Sequence, residues 1–326
     1  MMQDNLSITP GLEAPMLTLE ETSDGNNRME SKNELSTLKG VYIPCMLSIL
    51  GAILFLRLSW AVGQAGFLGV LAIFAISGTA VLLTALSISA ISTNGTMGGG
   101  GAYYMISRSL GPEFGGAVGV IFYFANAFGT TFYLVAFADN VIDTFFSDAG
   151  EWYKIIIASL ALAMTFCAAW IGAGFFSRLN VFILAFIVLS ICTTTMSLLF
   201  GSEFGCTAQE GGLVGFTGIN SQTLSDNWMP NYGPIIDDTT NLPTGNGDNT
   251  FFRVFGIVFP AMTGIMAGAN LSGDLRDPGR SIGKGTIYAI FSSIAIYMTL
   301  AFLVSWTIES QTVSCREIYY ILSVIY

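Results

Sequence analysis

The 326-residue sequence contains no histidine at all, and its charged residues amount to only 10% of the chain. Without histidine there is no Cys/His metal cluster, no imidazole base and no serine or cysteine nucleophile paired with one, and no nucleophile elbow is present, so the reading is not an enzyme and no cofactor or resident metal is expected. The five cysteines, Cys45, Cys167, Cys192, Cys206 and Cys315, form no CxxC pair. Most lie in apolar runs where packing explains them, while Cys206 and Cys315 sit in polar connections and can pair only on a shared oxidising face. Four glycines in a row, Gly98 to Gly101, are followed by no GK[ST] and preceded by no strand, which excludes a phosphate-binding loop. Basic residues are too few for a nucleic-acid footprint, and the net charge of −10 comes mostly from acids in the first forty residues and in the stretch 201–249.

What is abundant is apolar: 52% of the residues are hydrophobic. That balance belongs to an all-α integral membrane protein with the lipid bilayer as its first partner. Residues 1–40 are polar, mixed in charge and unable to bury enough apolar surface to order themselves, which predicts a disordered tail. From Val41 onward, apolar runs near the length of a bilayer crossing fall at about 41–62, 67–91, 115–138, 155–175, 181–200, 254–273 and 285–308, seven in all. Lys32, Lys39, Arg108, Arg178, Arg276, Arg280 and Lys284 collect on the side of the N-terminus and Lys154, Arg253 and Arg316 on the other, so the positive-inside rule puts the N-terminus in the cytoplasm. The transporter domain then covers 41–308, with a first repeat at 41–200, an outer loop at 201–253, the start of a second repeat at 254–308, and a short outer tail at 309–326.

Two of the runs are interrupted. FPAMTGIMAGANLSGDLRDPGRSIGK, from Phe259, holds Pro260, Gly264, Gly268 and Gly273, and VYIPCMLSILGAILFLRLSW, from Val41, holds Pro44 and Gly51. Proline and glycine are poor material for an unbroken helix. A break at bilayer depth frees N–H and C=O groups that only protein or a small hydrated cavity can satisfy, which makes it a candidate ion site; the other reading is a kinked helix packed through small residues. Broken helices one and six of a five-plus-five scheme are the pattern of an inverted-repeat transporter.

GVYIPCMLSILGAILFLRLSWAVGQAG, AISTNGTMGGGGAYYMISRSLGPEFGGAVG and FPAMTGIMAGANLSGDLRDPGRSIGKGT closely resemble the cation-chloride cotransporter family, solute carrier family 12, from about Gly40 to Trp306. GFTGINSQTLSDN and FYFAN look most like its cotransporter-interacting (member 9) branch, and RLSWAVGQAG equally like its sodium-potassium-chloride branch. The resemblance implies a LeuT-like, amino acid-polyamine-organocation bundle of twelve spans, and electroneutral symport of Cl⁻ with K⁺, or with Na⁺ and K⁺, at the plasma membrane or an endomembrane. It implies K⁺ at Ser48, Ile49, Tyr133, Pro260 and Thr263, with Ser48 departing from the asparagine usual in the transporting branches. It implies Cl⁻ at the backbone of Gly51, Ala52 and Ile53 and of Gly264, Ile265 and Met266, and a span-one half of a sodium site around Leu47 and Leu50. It further implies an outer gate in which Arg57 meets Asp139. Beside symport stand a non-transporting regulatory subunit that joins a full-length relative as a heteromer or homodimer, and an amino-acid or polyamine carrier. Seven spans of twelve lead to the expectation of a truncated bundle without chloride-coupled flux of its own.

Overall fold

The structure, a computed structural model, describes residues 35–95, 100–145, 151–201, 204–207, 213–236 and 243–309. The N-terminal tail and the end of the chain, with Cys315, lie outside the described residues, as does the Cys206 side chain. A π-helical turn, Leu38–Tyr42, leads into α1, Ile43–Ile49, and after two residues α2 runs over Ala52–Thr93. A short helix α3, Gly101–Leu110, connects to the long helices α4, Pro112–Phe145, α5, Glu151–Ile171, and α6, Ala173–Phe200. The connection from α6 to the next long helix forms two hairpins, β1 (Phe204–Thr207) with β2 (Leu213–Phe216) and β3 (Pro234–Ile236) with β4 (Pro243–Asp248), both antiparallel, flanking a helical turn and a half, α7, Ser221–Asp226. α8, Phe251–Val258, then passes through a 3₁₀ turn at Phe259–Met262 to the four-residue α9, Ala267–Asn270, and α10 closes the described chain over Pro278–Thr307.

Six helices among the described residues are long and apolar enough to cross a membrane: Arg57–Thr93, Pro112–Ile142, Trp152–Ile171, Gly174–Phe200, Phe251–Asn270 and Pro278–Thr307. The protein is a multi-pass membrane protein. The sequence counts seven crossings where length and composition of single helices give six, and the reason is Gly66. α2 has 42 residues, about 63 Å at 1.5 Å per residue, roughly twice a hydrocarbon core. Gly66 interrupts it with φ 64° and ψ 174°, so its first part continues the run begun by Leu38–Ile49 and its second part is the next run.

That turn is built by the connection between α6 and α8. The N–H groups of Phe67 and Leu68, orphaned at a helix start, donate to the carbonyls of Asn227 and Trp228 at 2.9 and 3.2 Å. Gln64 accepts the Asn231 N–H on its carbonyl at 3.0 Å and the Gly233 N–H on Oε1 at 2.8 Å. A Cβ at position 66 would collide with the Met229 carbonyl, so close approach and positive φ both demand glycine. The same connection grips the end of α10, where the buried Asn227 donates through Nδ2 to the carbonyls of Ser305 at 2.9 Å and Ile308 at 2.6 Å. The described residues of the stretch read from sequence as a polar loop thus form hairpins and a short helix pinned over two helix ends.

The core forms where α10 packs along α2 and α1. Phe74, Ile73, Ile49, Leu50, Met262, Ile282, Ile290 and Tyr297 are all buried there. α10 starts with the Asp277 side chain accepting from the Arg280 N–H at 3.3 Å and with Pro278 in its first turn. Its glycines seat neighbours: a Cβ on Gly285 would lie 2.7 Å from Cβ of Val41, and one on Gly283 equally close to that of Ser89. Small residues let helices approach where lipid provides no hydrophobic drive between them. α4, α5 and α6 follow one another in a row, with Phe124, Phe128, Phe166 and Trp170 exposed along them.

Candidate functional site at two helix breaks

Both interrupted runs do break. α1 ends at Ile49; Leu50 takes φ −77° and ψ 50°, Gly51 is extended, and α2 restarts at Ala52. In the second run the 3₁₀ turn ends at Met262, Thr263 is extended, Gly264 has φ 103°, and helix resumes at Ala267. The two breaks lie against each other. A Cβ built on Gly264 would collide with Oγ of Ser48 and lie 2.8 Å from its Cβ. A Cβ on Gly51 would lie 3.1 Å from the Tyr133 hydroxyl and 3.5 Å from the Ser48 carbonyl. Ser48 and Gly51 of the first break, Tyr133 of α4 and Gly264 of the second break therefore share one small volume.

The carbonyls named for a cation are engaged internally. The Ile49 carbonyl accepts the Tyr297 hydroxyl at 2.9 Å. The Pro260 carbonyl accepts the Thr263 hydroxyl at 2.7 Å and the Thr263 N–H at 3.1 Å. Beside the second break, the buried Cys45 thiol donates to the Ile265 carbonyl at 3.4 Å and lies 3.9 Å from Thr286 Oγ1, tying the two broken helices together. Tyr297 and Cys45 are the contributors that the sequence reading leaves out. A tyrosine or cysteine inside an apolar run reads as packing, and nothing in the local pattern marks either one.

The two backbone stretches expected to hold an anion differ in geometry. Gly51 is the N-cap of α2, Ala52 and Ile53 open it, and no side chain caps that end. About four turns of helix from Ala52 to Gly66 stand behind these N–H groups and contribute the positive end of their dipole. After the second break Gly264, Ile265 and Met266 lead into a helix of four residues only, with the Ala267 N–H already bonded to the Gly264 carbonyl at 3.1 Å. So short a helix adds little dipole, and of the two the span-one end is the better anion cradle.

Asp139, expected at a gate, sits on α4 and forms an ion pair with Lys154 on α5 at 2.6 Å, both side chains being partly exposed. The sequence reading expects Asp139 to meet Arg57; the ion pair seen at Asp139 joins α4 to Lys154, which lies one turn into α5. Of the glycine run, Gly98 and Gly99 lie outside the described residues, and Gly101 serves packing. Gly101, with φ 59°, opens α3, and a Cβ there would sit 3.1 Å from Cα of Asn270 at the exit of the second break. Its N–H donates to Ser272 Oγ at 3.2 Å, and Arg108 at the other end of α3 donates to the Ile91 carbonyl at 2.6 Å, holding α3 to α2.

Residues 40–318 match the amino acid permease family model. The chain belongs to the amino acid permease family, in its solute carrier family 12 branch. It is 37% identical over 295 residues to solute carrier family 12 member 9 of Xenopus laevis, covering 86% of this chain and 32% of that protein. It is 38% identical over 295 residues to the bumetanide-sensitive sodium-(potassium)-chloride cotransporter of Manduca sexta, covering 86% of this chain and 26% of that one. It is 39% identical over 269 residues to solute carrier family 12 member 2 of Mus musculus, covering 81% and 21%. The chain thus spans a third or less of the length of these relatives. The family implies the inverted-repeat transporter fold, and the two broken helices occupy the first and sixth places that this fold gives them.

Proposed function

We propose that the protein works in secondary active cation-chloride symport, with K⁺ as the cation, Na⁺ as an additional one, and the ions bound where the two breaks meet. The observation that carries this reading is the seating of Ser48 against Gly264, which brings both sets of freed backbone groups into one volume. The cation is held by neutral oxygens from Ser48, Ile49, Tyr133, Pro260 and Thr263, which replace hydration without burying a second charge. Chloride takes the N–H groups of Gly51, Ala52 and Ile53, and more weakly those of Gly264, Ile265 and Met266. Asp139, Lys154 and Arg57 form the outer gate. The membrane is the plasma membrane, with the N-terminus in the cytoplasm.

A second reading, a regulatory subunit that joins another cation-chloride cotransporter, is favoured by Ser48 itself. Its side chain is short and pressed on Gly264, so it offers a cation less reach than an amide would. Rubidium uptake into vesicles separates the two. Chloride-dependent uptake by the protein alone supports symport; uptake that changes only when a sodium-potassium-chloride relative is present supports the regulatory role. Vesicles showing neither effect refute both.

A further inference from the structure

Each break ends in the same small device. At the second, the Thr263 hydroxyl donates to the Pro260 carbonyl at 2.7 Å; at the first, the Tyr297 hydroxyl donates to the Ile49 carbonyl at 2.9 Å. Both carbonyls lie in the last turn before a helix stops, where intrahelical partners run out; the Pro260 carbonyl also accepts the Thr263 N–H at 3.1 Å. A hydroxyl has one proton and two lone pairs. When its proton satisfies the neighbouring carbonyl in the empty site, its own lone pairs still face outward beside that carbonyl, so carbonyl and hydroxyl present two oxygens together. Thr263 already belongs to the proposed cation site. By the same geometry so does Tyr297, which no sequence pattern singles out.

Tyr297 is well placed for this. It projects from the middle of α10, is 1% exposed, and its ring lies against Phe74 with centroids 5.0 Å apart, which fixes where the hydroxyl points. Tyr133, on α4, brings its hydroxyl to 3.1 Å from where a Cβ on Gly51 would lie, on the other side of the same break. Two phenol oxygens, one from each repeat, thus converge on the residues that end α1. Ile49 supplies only its backbone here, and its carbonyl alone would be a single ligand.

Resting on the reading that an alkali cation binds at the breaks, we propose that Tyr297 is a further cation-binding residue, its hydroxyl oxygen joining the Ile49 carbonyl in the coordination shell of K⁺. The alternative is a hydroxyl that only satisfies a buried carbonyl. Thermal melting of the detergent-purified protein distinguishes them, with KCl replacing choline chloride at constant total chloride, because a ligand that binds the folded state raises the midpoint along its own saturation curve. The proposal expects K⁺ to stabilise the wild-type protein and Tyr297→Phe to raise the half-saturating K⁺ on the order of tenfold, the scale of one lost polar contact to a charge. Thr263→Val serves as the reference and is expected to do the same. Half-saturation in Tyr297→Phe within about twofold of wild type, with Thr263→Val displaced, overturns the assignment of Tyr297 and leaves the cation site standing. Absence of any K⁺ effect on the wild-type protein overturns both. Because half-saturation is read separately from the midpoint in choline, a variant that is merely less stable does not imitate either result.

Discussion

Gly264→Ala is the substitution to which the proposed site is most sensitive. Gly264 has φ 103°, a conformation L-residues rarely adopt, and holding alanine there costs about 1–3 kcal/mol. The added Cβ also meets Ser48, whose Oγ it overlaps and whose Cβ lies 2.8 Å away, and overpacking of that kind costs about 1–3 kcal/mol more. The sum, about 2–6 kcal/mol, lowers the melting midpoint by at least ~4 °C at the slope usual for domains of this size. Gly51→Ala is the internal control: φ is −86°, which any residue adopts, and the new Cβ meets only the Tyr133 hydroxyl at 3.1 Å and ordinary neighbours at 3.5 Å, so the loss is under about 1 kcal/mol. A double-mutant cycle then isolates the contact. In a Ser48→Ala background the Oγ overlap is gone while the Cβ contact and backbone strain persist, so Gly264→Ala is expected to cost less by about 0.5–3 kcal/mol. The assay is thermal melting in detergent with and without chloride. A Gly264→Ala protein that melts like wild type, or a cycle with no coupling to Ser48, refutes the juxtaposition of the two breaks.

Ser48→Asn lengthens the side chain that faces the second break and is expected to lower the K⁺ concentration that half-stabilises the protein, whereas Tyr133→Phe raises it; equal half-saturation in all three proteins removes K⁺ from this place. Asp139→Lys and Lys154→Asp each break the pair seen between α4 and α5, and because both partners are partly exposed each costs within about 1 kcal/mol. The double reversal restores melting, and in a transporting assembly restores uptake; failure of the swap to recover either shows that the pair does not hold the outer ends of these helices.

The course of the helices is legible in the sequence because membrane insertion leaves few options. Runs with almost no charge and near twenty residues long mark the crossings, and the structure places helices over all of them. The breaks were legible too, since Pro260, Gly264 and Gly51 fall where the chain leaves helical geometry. Boundaries were less so: α4 extends to Phe145 and α6 begins at Ala173, both beyond the apolar runs, because backbone hydrogen bonding continues through polar residues at the interface. The hairpins between Phe204 and Asp248 carry no alternating apolar pattern, their strands being three to six residues long and too short for period two to register, and only pairing across the chain defines them.

The site was legible in kind and not in full. Residues that must be glycine or proline announce themselves, because backbone geometry restricts the alphabet. Residues that act by reaching across from another helix do not. Gln64 and Asn227 look like ordinary polar residues of a span end and a loop, yet one accepts the Gly233 N–H at 2.8 Å beneath the connection and the other clamps the Ser305 and Ile308 carbonyls at the end of α10. Through them the connection between α6 and α8 fastens the Gly66 turn, on one side, to the last turn of α10 on the other. α10 also carries Tyr297, whose hydroxyl holds Ile49 at the first break. A displacement of that connection therefore has a covalent and hydrogen-bonded route, Asn227 to α10 to Tyr297 to Ile49, into the place where the two broken helices meet, and no window of local sequence contains more than one of its steps.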